Sequence, residues 1–317
     1  KKEGYSFKIY AYDTDRTEEK MNTILRNPSL KTMDLIIGPA YTIHVKSVSE
    51  FSMKNKIRLV VPFSSKTEEV FSNPYLYQCN AHAKVIDEQV SMKIIELFSD
   101  KNIVLVNFKE TEKSSLKALS TELEANFKKD SIQYASLLYK DNIEEVETLL
   151  KEKDNVLLLM TNNPATLAKM APDLEQLEQD FVLFGQPEWL DVAIAQTDIS
   201  NHIIYTYSPF HIAYESKEVS RFYQKFGENF GYETSKSIPH FHLLGYDIAL
   251  YFLKGLSVYR EEFEENMHLL EVENLQTQFT FQKISPEGGY VNEFIYLFKY
   301  ENHQEEIVVK KAENEEN

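Results

Sequence analysis

The stretch 34–39, DLIIGP, places three consecutive apolar residues between an acid and a Gly-Pro turn. A strand in which every side chain is apolar is buried on both faces, as in a parallel sheet that helices cover. Similar short apolar runs recur at 58–62, 102–106, 155–160, 181–185 and 202–205. Charged stretches with apolar residues at helical spacing lie between them, such as 41–55 and 82–99. This alternation predicts an α/β fold built on parallel sheets.

Local signals add further elements. Asn163-Pro164 is typical of a helix start, with an N-cap followed by proline at the first helical position. Another helix is predicted over 239–256. The turn-forming residues 285–289, SPEGG, predict a hairpin between two strands within 279–300. Residues 6–13 partly alternate polar and apolar side chains, which predicts an edge strand rather than a central one.

The composition is that of a globular protein, with 43% hydrophobic and 26% charged residues, and it excludes disorder of the whole chain. A length of 317 residues suggests two domains. Lysine and arginine number 34 against 50 acidic residues, a balance of −16. This acidity argues against binding to nucleic acid or to an anionic membrane surface. No apolar run approaches the roughly 20 residues of a transmembrane helix, and the one cysteine, Cys79, excludes an internal disulfide.

Several motifs follow one another in a distinctive order. DLIIGP at 34–39 is followed by KIRLVVPFSS at 56–65 and NPYLYQ at 73–78, and later come GQPE at 185–188 and the helix GYDIALYFL at 245–253. Their order and spacing over nearly the whole chain resemble the type I periplasmic-binding-protein family, the group of the branched-chain amino-acid receptors. The resemblance implies two Rossmann-like lobes with parallel sheets, in the arrangement known as a Venus flytrap.

The closing segment 288–292, GGYVN, and the loops rich in phenylalanine and tyrosine resemble a bacterial cell-envelope branch of that family. In some members of this branch the domain follows LysM repeats, which implies a link to peptidoglycan. The resemblance also implies a periplasmic or outer-membrane-anchored protein, although no signal peptide is visible in this chain. Family members carry a further strand and helix before the strand that matches 6–13. We expect that first strand and helix to lie outside this chain, because loss of a central strand would leave buried backbone groups unpaired.

The strands fall into two groups, within residues 6–107 and within about 131–207. Together with the resemblance, the groups imply lobe 1 over 1–110 plus 238–274, lobe 2 over 111–237 plus 275–302, and a charged tail over 303–317. The chain is expected to cross between the lobes near 108–112, 233–240 and 272–280.

Strand-end loops are the first places to seek a binding site. Ligands of open α/β sheets bind beyond the carboxyl ends of the strands, where helix N-termini offer free N–H groups to carboxylates. In the loop 63–67 the resemblance implies that Ser64, Ser65 and Thr67 hold the charged head group of an amino acid. Tyr41, in the loop after DLIIGP, is a further candidate. The alternative is that these residues only cap helices and form turns.

The second lobe offers candidates at its own strand ends. Glu188 falls where the amino-acid receptors carry an acid that pairs with the ligand ammonium. Alternatively, Glu188 begins a helix and complements its dipole. Asn162 is a candidate because it follows the apolar run at 155–160. Trp189 either forms a wall of the ligand cleft or packs in the core.

Tyr207, Phe210 and Tyr214 either form an aromatic cluster that encloses an apolar or sugar-like ligand, or they pack in the interior. The pair His240 and His242 has no obvious carboxylate partner and is interpreted as two helix-end histidines rather than a metal site. The sequence contains no dinucleotide-binding, P-loop, hydrolase or zinc-protease motif. No catalytic residue, cofactor or metal is therefore predicted.

These observations favour a non-enzymatic module of the bacterial cell envelope that closes about a hinge on a small ligand. An amino acid, a short peptide or a cell-wall fragment such as a muropeptide fits this interpretation. One alternative is a regulatory module with a vestigial cleft, which binds an envelope protein and is linked to peptidoglycan. Another is an enzyme, such as a two-domain transferase built on a similar pair of α/β domains.

Overall fold

The computed structural model describes residues 6–189, 202–231, 239–302 and 304–308. The helices of these residues are α1 Glu18–Leu25, α2 Val45–Asn55, α3 Ala83–Phe98, α4 Leu116–Lys129, α5 Ile143–Glu147, α6 Pro164–Leu174, α7 Lys217–Phe230, α8 Phe241–Tyr259 and α9 Phe263–Asn266. The strands are β1 Leu35–Ile37, β2 Arg58–Val61, β3 Leu76–Gln78, β4 Asn102–Asn107, β5 Tyr134–Leu138, β6 Asn155–Met160, β7 Phe181–Phe184, β8 Ile204–Ser208, β9 Phe281–Lys283, β10 Tyr290–Asn292, β11 Tyr296–Glu301 and β12 Gln304–Ile307. The predicted α/β fold with parallel sheets is confirmed.

The described strands form two sheets. The first has the order β1-β2-β3-β10-β9, in which the first four strands are parallel and β9 runs antiparallel to β10. The second has the order β12-β11-β8-β7-β6-β4-β5, with five parallel strands and an antiparallel pair, β11 and β12, at one side. The hairpin predicted around SPEGG is confirmed as the pair β9 and β10.

The chain divides into two compact units, each of which contains one of the sheets. The first unit comprises Lys1–Ala83 and Phe210–Phe294, and the second comprises Lys84–Pro209 and Ile295–Asn317. These boundaries differ from those expected for the lobes, because strand pairing assigns β4 to the second sheet and β10 to the first. Residues 304–307, expected within a charged tail, form β12 against β11. An apolar pattern shows that a strand is buried, but it does not show which sheet the strand joins.

Alternate residues of the central strands fill two separate cores in the second unit. Ile103 and Leu105 of β4 pack on one face of the sheet, and Val104 and Val106 pack on the other. All four side chains are fully buried. Burial on both faces explains why the strand reads as a continuous apolar run.

In the first unit, aromatic residues fill the space between the sheet and helices α8 and α9. Tyr77 of β3 stacks on Tyr290 of β10 with ring centroids 4.7 Å apart, and it meets Phe252 of α8 edge-on. The Tyr77 hydroxyl donates to Glu264 of α9, which also forms a two-pronged ion pair with Arg58 of β2. These polar contacts fasten α9 to the edge of an otherwise apolar core.

Two local predictions have opposite outcomes. The helix start at Asn163-Pro164 is confirmed, since the Asn163 side chain accepts a hydrogen bond from the backbone N–H of Ala165. The edge strand expected over 6–13 is wrong. Residues 6–13 form no strand and are mostly exposed, and among the described residues β1 pairs only with β2. Without a hydrogen-bonded neighbour an alternating pattern does not by itself produce a strand. Within the described ranges, no helix has the length and apolar character needed to cross a bilayer.

Candidate functional site

In the first unit the parallel strands bring three loops to one edge of the sheet. β1, β2 and β3 are parallel neighbours, so their carboxyl ends and the loops that follow them lie on the same side. The loop 38–44 follows β1, the loop 62–67 follows β2, and residues 79–82 follow β3. Loops that follow three separate sequence motifs therefore lie together at this edge of the sheet.

Thr67 is the most informative residue of the loop after β2. It is only 1% exposed, and its hydroxyl has no hydrogen-bond partner among the described residues. It precedes a short 3₁₀ turn, Glu68–Phe71, but its side chain makes no capping hydrogen bond there. A hydroxyl that is buried without a partner costs free energy. Thr67 thus offers a hydrogen-bonding group that the protein itself leaves unused.

The neighbouring serines differ from Thr67 in their surroundings. Ser64 and Ser65 are half-buried, and the Ser64 hydroxyl accepts a hydrogen bond from the backbone N–H of Lys66. Ser64 therefore stabilises the turn of the loop, in line with the turn-forming alternative. Tyr41 is exposed, and the guanidinium of Arg16 lies 4.7 Å from the centre of its ring.

Two buried polar residues at this edge are absent from the sequence-based set. Gln78, the last residue of β3, is fully buried; its amide nitrogen donates to the backbone oxygen of Asn80, but its carbonyl oxygen has no partner in the described chain. His44 is also fully buried, and neither ring nitrogen has a hydrogen-bond partner within the described ranges. The sequence signal that could have identified Gln78 as a site residue was its position at the end of the motif NPYLYQ, whose strand is buried on both faces.

The second unit repeats this arrangement at the carboxyl ends of β7 and β8. Gln186 follows β7 and is 1% exposed. Its carbonyl oxygen accepts a hydrogen bond of 2.8 Å from the hydroxyl of Tyr207 near the end of β8. Its amide nitrogen is buried and lacks a partner among the described residues. Gln186 therefore presents an unused donor, as Thr67 presents an unused hydroxyl in the first unit.

Two carboxylates lie close enough to Tyr207 to act on its ionisation. Burial, together with the charges of Asp87 and Glu188, raises the pKa of the Tyr207 phenol. Asp87 is a residue of α3, and burial with the neighbouring charges of Glu122 and Glu88 raises its pKa to about 6. Glu188 is exposed. This end of the second unit has an acidic character that suits an ammonium group.

Trp189 packs in a core of the second unit, in line with the packing alternative for this residue. It is 1% exposed, and its indole N–H donates to the backbone oxygen of Thr161 at 2.8 Å. Its ring lies against Gly185, where a β-carbon would overlap it. A buried indole whose donor is already satisfied is a packing residue. Asn162, one residue after Thr161, is exposed in the loop that follows β6.

The three aromatic residues expected to cluster lie in different surroundings. Tyr207 stacks on Phe184 in a core of the second unit. Phe210 packs against the aromatic core of the first unit, and the ring of Tyr214 meets that of His240. Tyr207 and Phe210 thus follow the packing alternative, whereas Tyr214 is 56% exposed.

The histidine pair at the start of α8 is enclosed by aromatic rings. His240 Nδ1 lies 2.7 Å from the Tyr223 hydroxyl, and the ring of His242 stacks on Phe222. Burial and the nearby His240 lower the pKa of His242. In the described part of the chain, no three His, Cys, Asp or Glu side chains are grouped in a way that could hold a metal ion.

No protein-family model and no curated protein sequence matches the chain significantly. Solved structures do match it. A putative branched-chain amino acid ABC transporter from Rhodospirillum rubrum superposes with a TM-score of 0.59 at 10% identity, covering 93% of this chain and 86% of that chain. A branched-chain amino acid ABC transporter periplasmic ligand-binding protein from Burkholderia xenovorans LB400 gives 0.52 at 11% identity, with coverages of 94% and 82%.

Full-length LpoA from Haemophilus influenzae is also similar, with a TM-score of 0.55 at 12% identity. The match covers 94% of this chain but 52% of LpoA, so this chain spans about half the length of that protein. At identities this low, the similarities establish the fold and carry no statement about ligand or partner.

Proposed function

We propose that this chain, which has the two-unit α/β fold of the type I periplasmic binding proteins, is a non-enzymatic module that binds a small ligand. One observation carries the proposal. In each unit, a buried polar group without a protein partner lies at the carboxyl ends of the parallel strands: the Thr67 hydroxyl in the first and the Gln186 amide in the second. Protein interiors rarely leave such groups unsatisfied, and a polar ligand would satisfy them.

The two sets of groups differ in chemistry. Around Thr67 the first unit offers hydroxyls, and hydroxyls donate to carboxylates. Around Tyr207 the second unit offers the carboxylates Asp87 and Glu188, which attract an ammonium. The first unit by itself therefore suits a carboxylate, and the second unit by itself suits an ammonium. The proposed class is therefore an amino acid or a short peptide, including the peptide part of a cell-wall fragment.

Two further parts of the proposal rest on similarity. A location in the cell envelope is supported by the similar structure from Burkholderia xenovorans, which is a periplasmic ligand-binding protein. The proposal that the chain performs no chemical step is supported because the similar structures include a periplasmic ligand-binding protein. Closure about a hinge on binding completes the proposal.

The test is a thermal-shift panel followed by calorimetry on every compound that raises the melting temperature. The panel holds amino acids, short peptides, muropeptides, simple sugars and nucleotides. At one hundred times the dissociation constant, a ligand stabilises the folded protein by about 2.7 kcal/mol, which such a panel detects. A stabilising amino acid or peptide is the expected result, with a decrease in the radius of gyration measured by X-ray scattering when that compound is added.

Substitutions at Thr67 and Gln186 test whether these two side chains contribute to the affinity for the ligand. Thr67→Val and Gln186→Leu should each weaken binding by about 1 to 3 kcal/mol, because each removes one hydrogen bond to the ligand. Thr148→Val and Gln176→Leu change exposed residues of the same types and should leave affinity unchanged. A panel without any stabilising compound, or full affinity in both buried variants, would overturn the proposal and favour a protein-interaction module.

A further inference from the structure

A groove of about 950 Å³ lies on the first unit, between α7, α8 and the segment 270–278. None of its lining residues belongs to the strand-end loops described above. Two rows of α7 line it: a row with phenylalanine at every turn and a neighbouring row of polar residues. The first row is Phe222, Phe226 and Phe230, and the second is Arg221, Lys225 and Asn229.

The apolar side of α7 is only partly covered. Among its residues, Val219 alone is buried, whereas Phe222 and Phe226 are half-buried and Phe230 is 60% exposed. Rings are in contact along the row, with the centroids of Phe226 and Phe230 4.8 Å apart. A strongly amphipathic helix normally buries such a row against another element. The row is therefore a surface that a helix of suitable pattern would cover.

Both walls of the groove carry charged residues, which include Glu218 on α7 and Lys254 on α8. Arg221 and Lys225 are exposed on α7, and Glu271 and Glu273 are exposed on the segment 270–278. None of these four side chains forms an ion pair with another described residue. An occupant with an apolar row flanked by cations would cover the phenylalanine row and pair with the two exposed glutamates.

We infer that the occupant is α7 of a second copy of this chain, in a two-fold symmetric dimer. In such a pair each surface contacts itself, and we place the two-fold axis perpendicular to α7, so that α7 runs antiparallel to its counterpart. Each phenylalanine row would enter the groove of the other copy, and Arg221 and Lys225 would face Glu271 and Glu273 across the interface. Helix α7, whose phenylalanine row is only half-covered in one copy, thus carries the apolar row and the flanking cations that suit the groove of the other copy.

The size of the groove sets the expected dissociation constant of the dimer. Sixteen described residues line it, fewer than the 20 to 30 per side of a standard interface of roughly 800 Å² per partner. A dimer of this size, held by a few aromatic anchors, should dissociate in the micromolar range.

Sedimentation analysis of the 317-residue chain, from nanomolar to several hundred micromolar, tests the inference. The natural chain should be monomeric at the lowest concentration and dimeric at the highest. Phe230→Ser should raise the dissociation constant by about tenfold or more, because an aromatic anchor is lost. Met92→Ser, which changes a residue 59% exposed on α3 of the second unit, is the matched control and should have no effect.

Charge reversal distinguishes self-pairing from a different partner. Lys225→Glu and Glu273→Lys should each weaken the dimer several-fold, and the double variant should regain an affinity within about twofold of the natural chain. The double variant also keeps the natural net charge of −16, whereas the single variants have −18 and −14. All four side chains changed in these tests are exposed, which is why the fold should survive; circular dichroism checks this.

Three results would overturn the inference. They are a monomer at every concentration, a dimer that Phe230→Ser does not weaken, and a double charge variant that stays as weak as its single parents. In the first case a helix of another protein becomes the occupant to seek, and in the second the interface lies elsewhere on the chain.

Discussion

The hydroxyl of Tyr207 donates to the side-chain oxygen of Gln186 at 2.8 Å, so one half of a buried amide is satisfied and the other half is not. The two residues come from neighbouring parallel strands, β8 and β7, whose carboxyl ends lie side by side. The bond orients the amide and leaves its nitrogen as the group available to a ligand. The observed structural contact and the proposed binding role thus share one side chain.

Removal of the phenol tests that relationship. Tyr207→Phe should lower the free energy of unfolding by about 1 to 2 kcal/mol, because the buried Gln186 oxygen would lose its donor. It should also weaken any ligand that raises the melting temperature, since the amide is no longer held in one orientation. Urea unfolding measures the first effect and calorimetry the second. Tyr205→Phe on the same strand removes a hydroxyl with no described hydrogen bond and serves as the control; an equal loss in both variants would contradict the prediction.

Asp87 should make stability depend on pH. Its pKa is raised from 3.8 to about 6, chiefly by burial. A carboxyl whose pKa is higher in the folded state contributes stability below its unfolded pKa, and that contribution is lost as the pH rises through the folded value. Asp87→Asn should therefore be more stable than the natural chain by about 1 to 2 kcal/mol above pH 7 or so, after allowance for partial solvent screening.

The difference between the two proteins should shrink as the pH falls from 7 to 4 and vanish below the unfolded pKa, where Asp87 is protonated in both the folded and the unfolded state. Urea unfolding at several pH values measures it, and the comparison cancels the other titrating groups. If the same variant loses affinity for an ammonium-bearing ligand, the carboxylate is retained for binding at a cost in stability. A difference that does not change between pH 4 and 7 would contradict the prediction.

The ion pair of Arg58 and Glu264 should contribute measurably to the stability of the first unit. Its two N–O distances are 2.6 and 2.7 Å, and Tyr77 donates to the same carboxylate at 2.7 Å. Although burial opposes it, these bonds lower the pKa of Glu264. Glu264→Gln should cost about 1.5 to 3 kcal/mol, because a half-buried guanidinium would lose its counter-charge.

The cost should shrink in acid, because a carboxylate with a lowered pKa stabilises the fold above its unfolded pKa and loses that effect as the pH falls. Glu112→Gln, in the exposed pair with Lys117, is the control and should leave the melting temperature unchanged within error. Equal melting temperatures for both variants would show that α9 is held by its apolar contacts alone.

Gly185→Ala should disturb the only tryptophan of the chain. A β-carbon at this position would overlap the ring of Trp189, so the ring or the strand end must move, at a cost of about 1 to 3 kcal/mol. The fluorescence of Trp189, which is 1% exposed, should shift to longer wavelength as water reaches the indole. Gly227→Ala on α7 has no atom in its way and should raise stability slightly. An unshifted spectrum in Gly185→Ala would contradict this prediction.

Several features could be predicted from local sequence because their causes are local. The runs around β1, β2, β4 and β6 are apolar at every position, and only burial on both faces explains such a run. Asn163 was predictable as a cap because its side chain bonds to the backbone two residues away. The loops that follow the strands were predictable because the apolar runs mark where the strands end.

The site residues themselves were less predictable. Thr67 and Ser64 were indistinguishable as hydroxyl residues of one loop, yet one is buried without a partner and the other holds a turn. Gln186 lies in the motif GQPE directly after an apolar run, but the sequence did not show that its side chain is buried with one half unpaired. Asp87 was missed, because nothing near it in sequence marks it as a polar group in buried surroundings. Trp189 was open to two interpretations until its hydrogen bond to Thr161 was known.

The sequence by itself determined the α/β class, the positions of the central strands and the loops in which to seek a site, because apolar periodicity and capping act over a few residues. Only the tertiary structure decided which sheet β4 and β10 join, and which polar groups lack partners. Pairing and desolvation depend on residues distant in the chain, as with Asp87 beside Tyr207. The exposed phenylalanine row of α7 was likewise decided by packing, since its sequence is that of any amphipathic helix and only the fold leaves its apolar face half-covered.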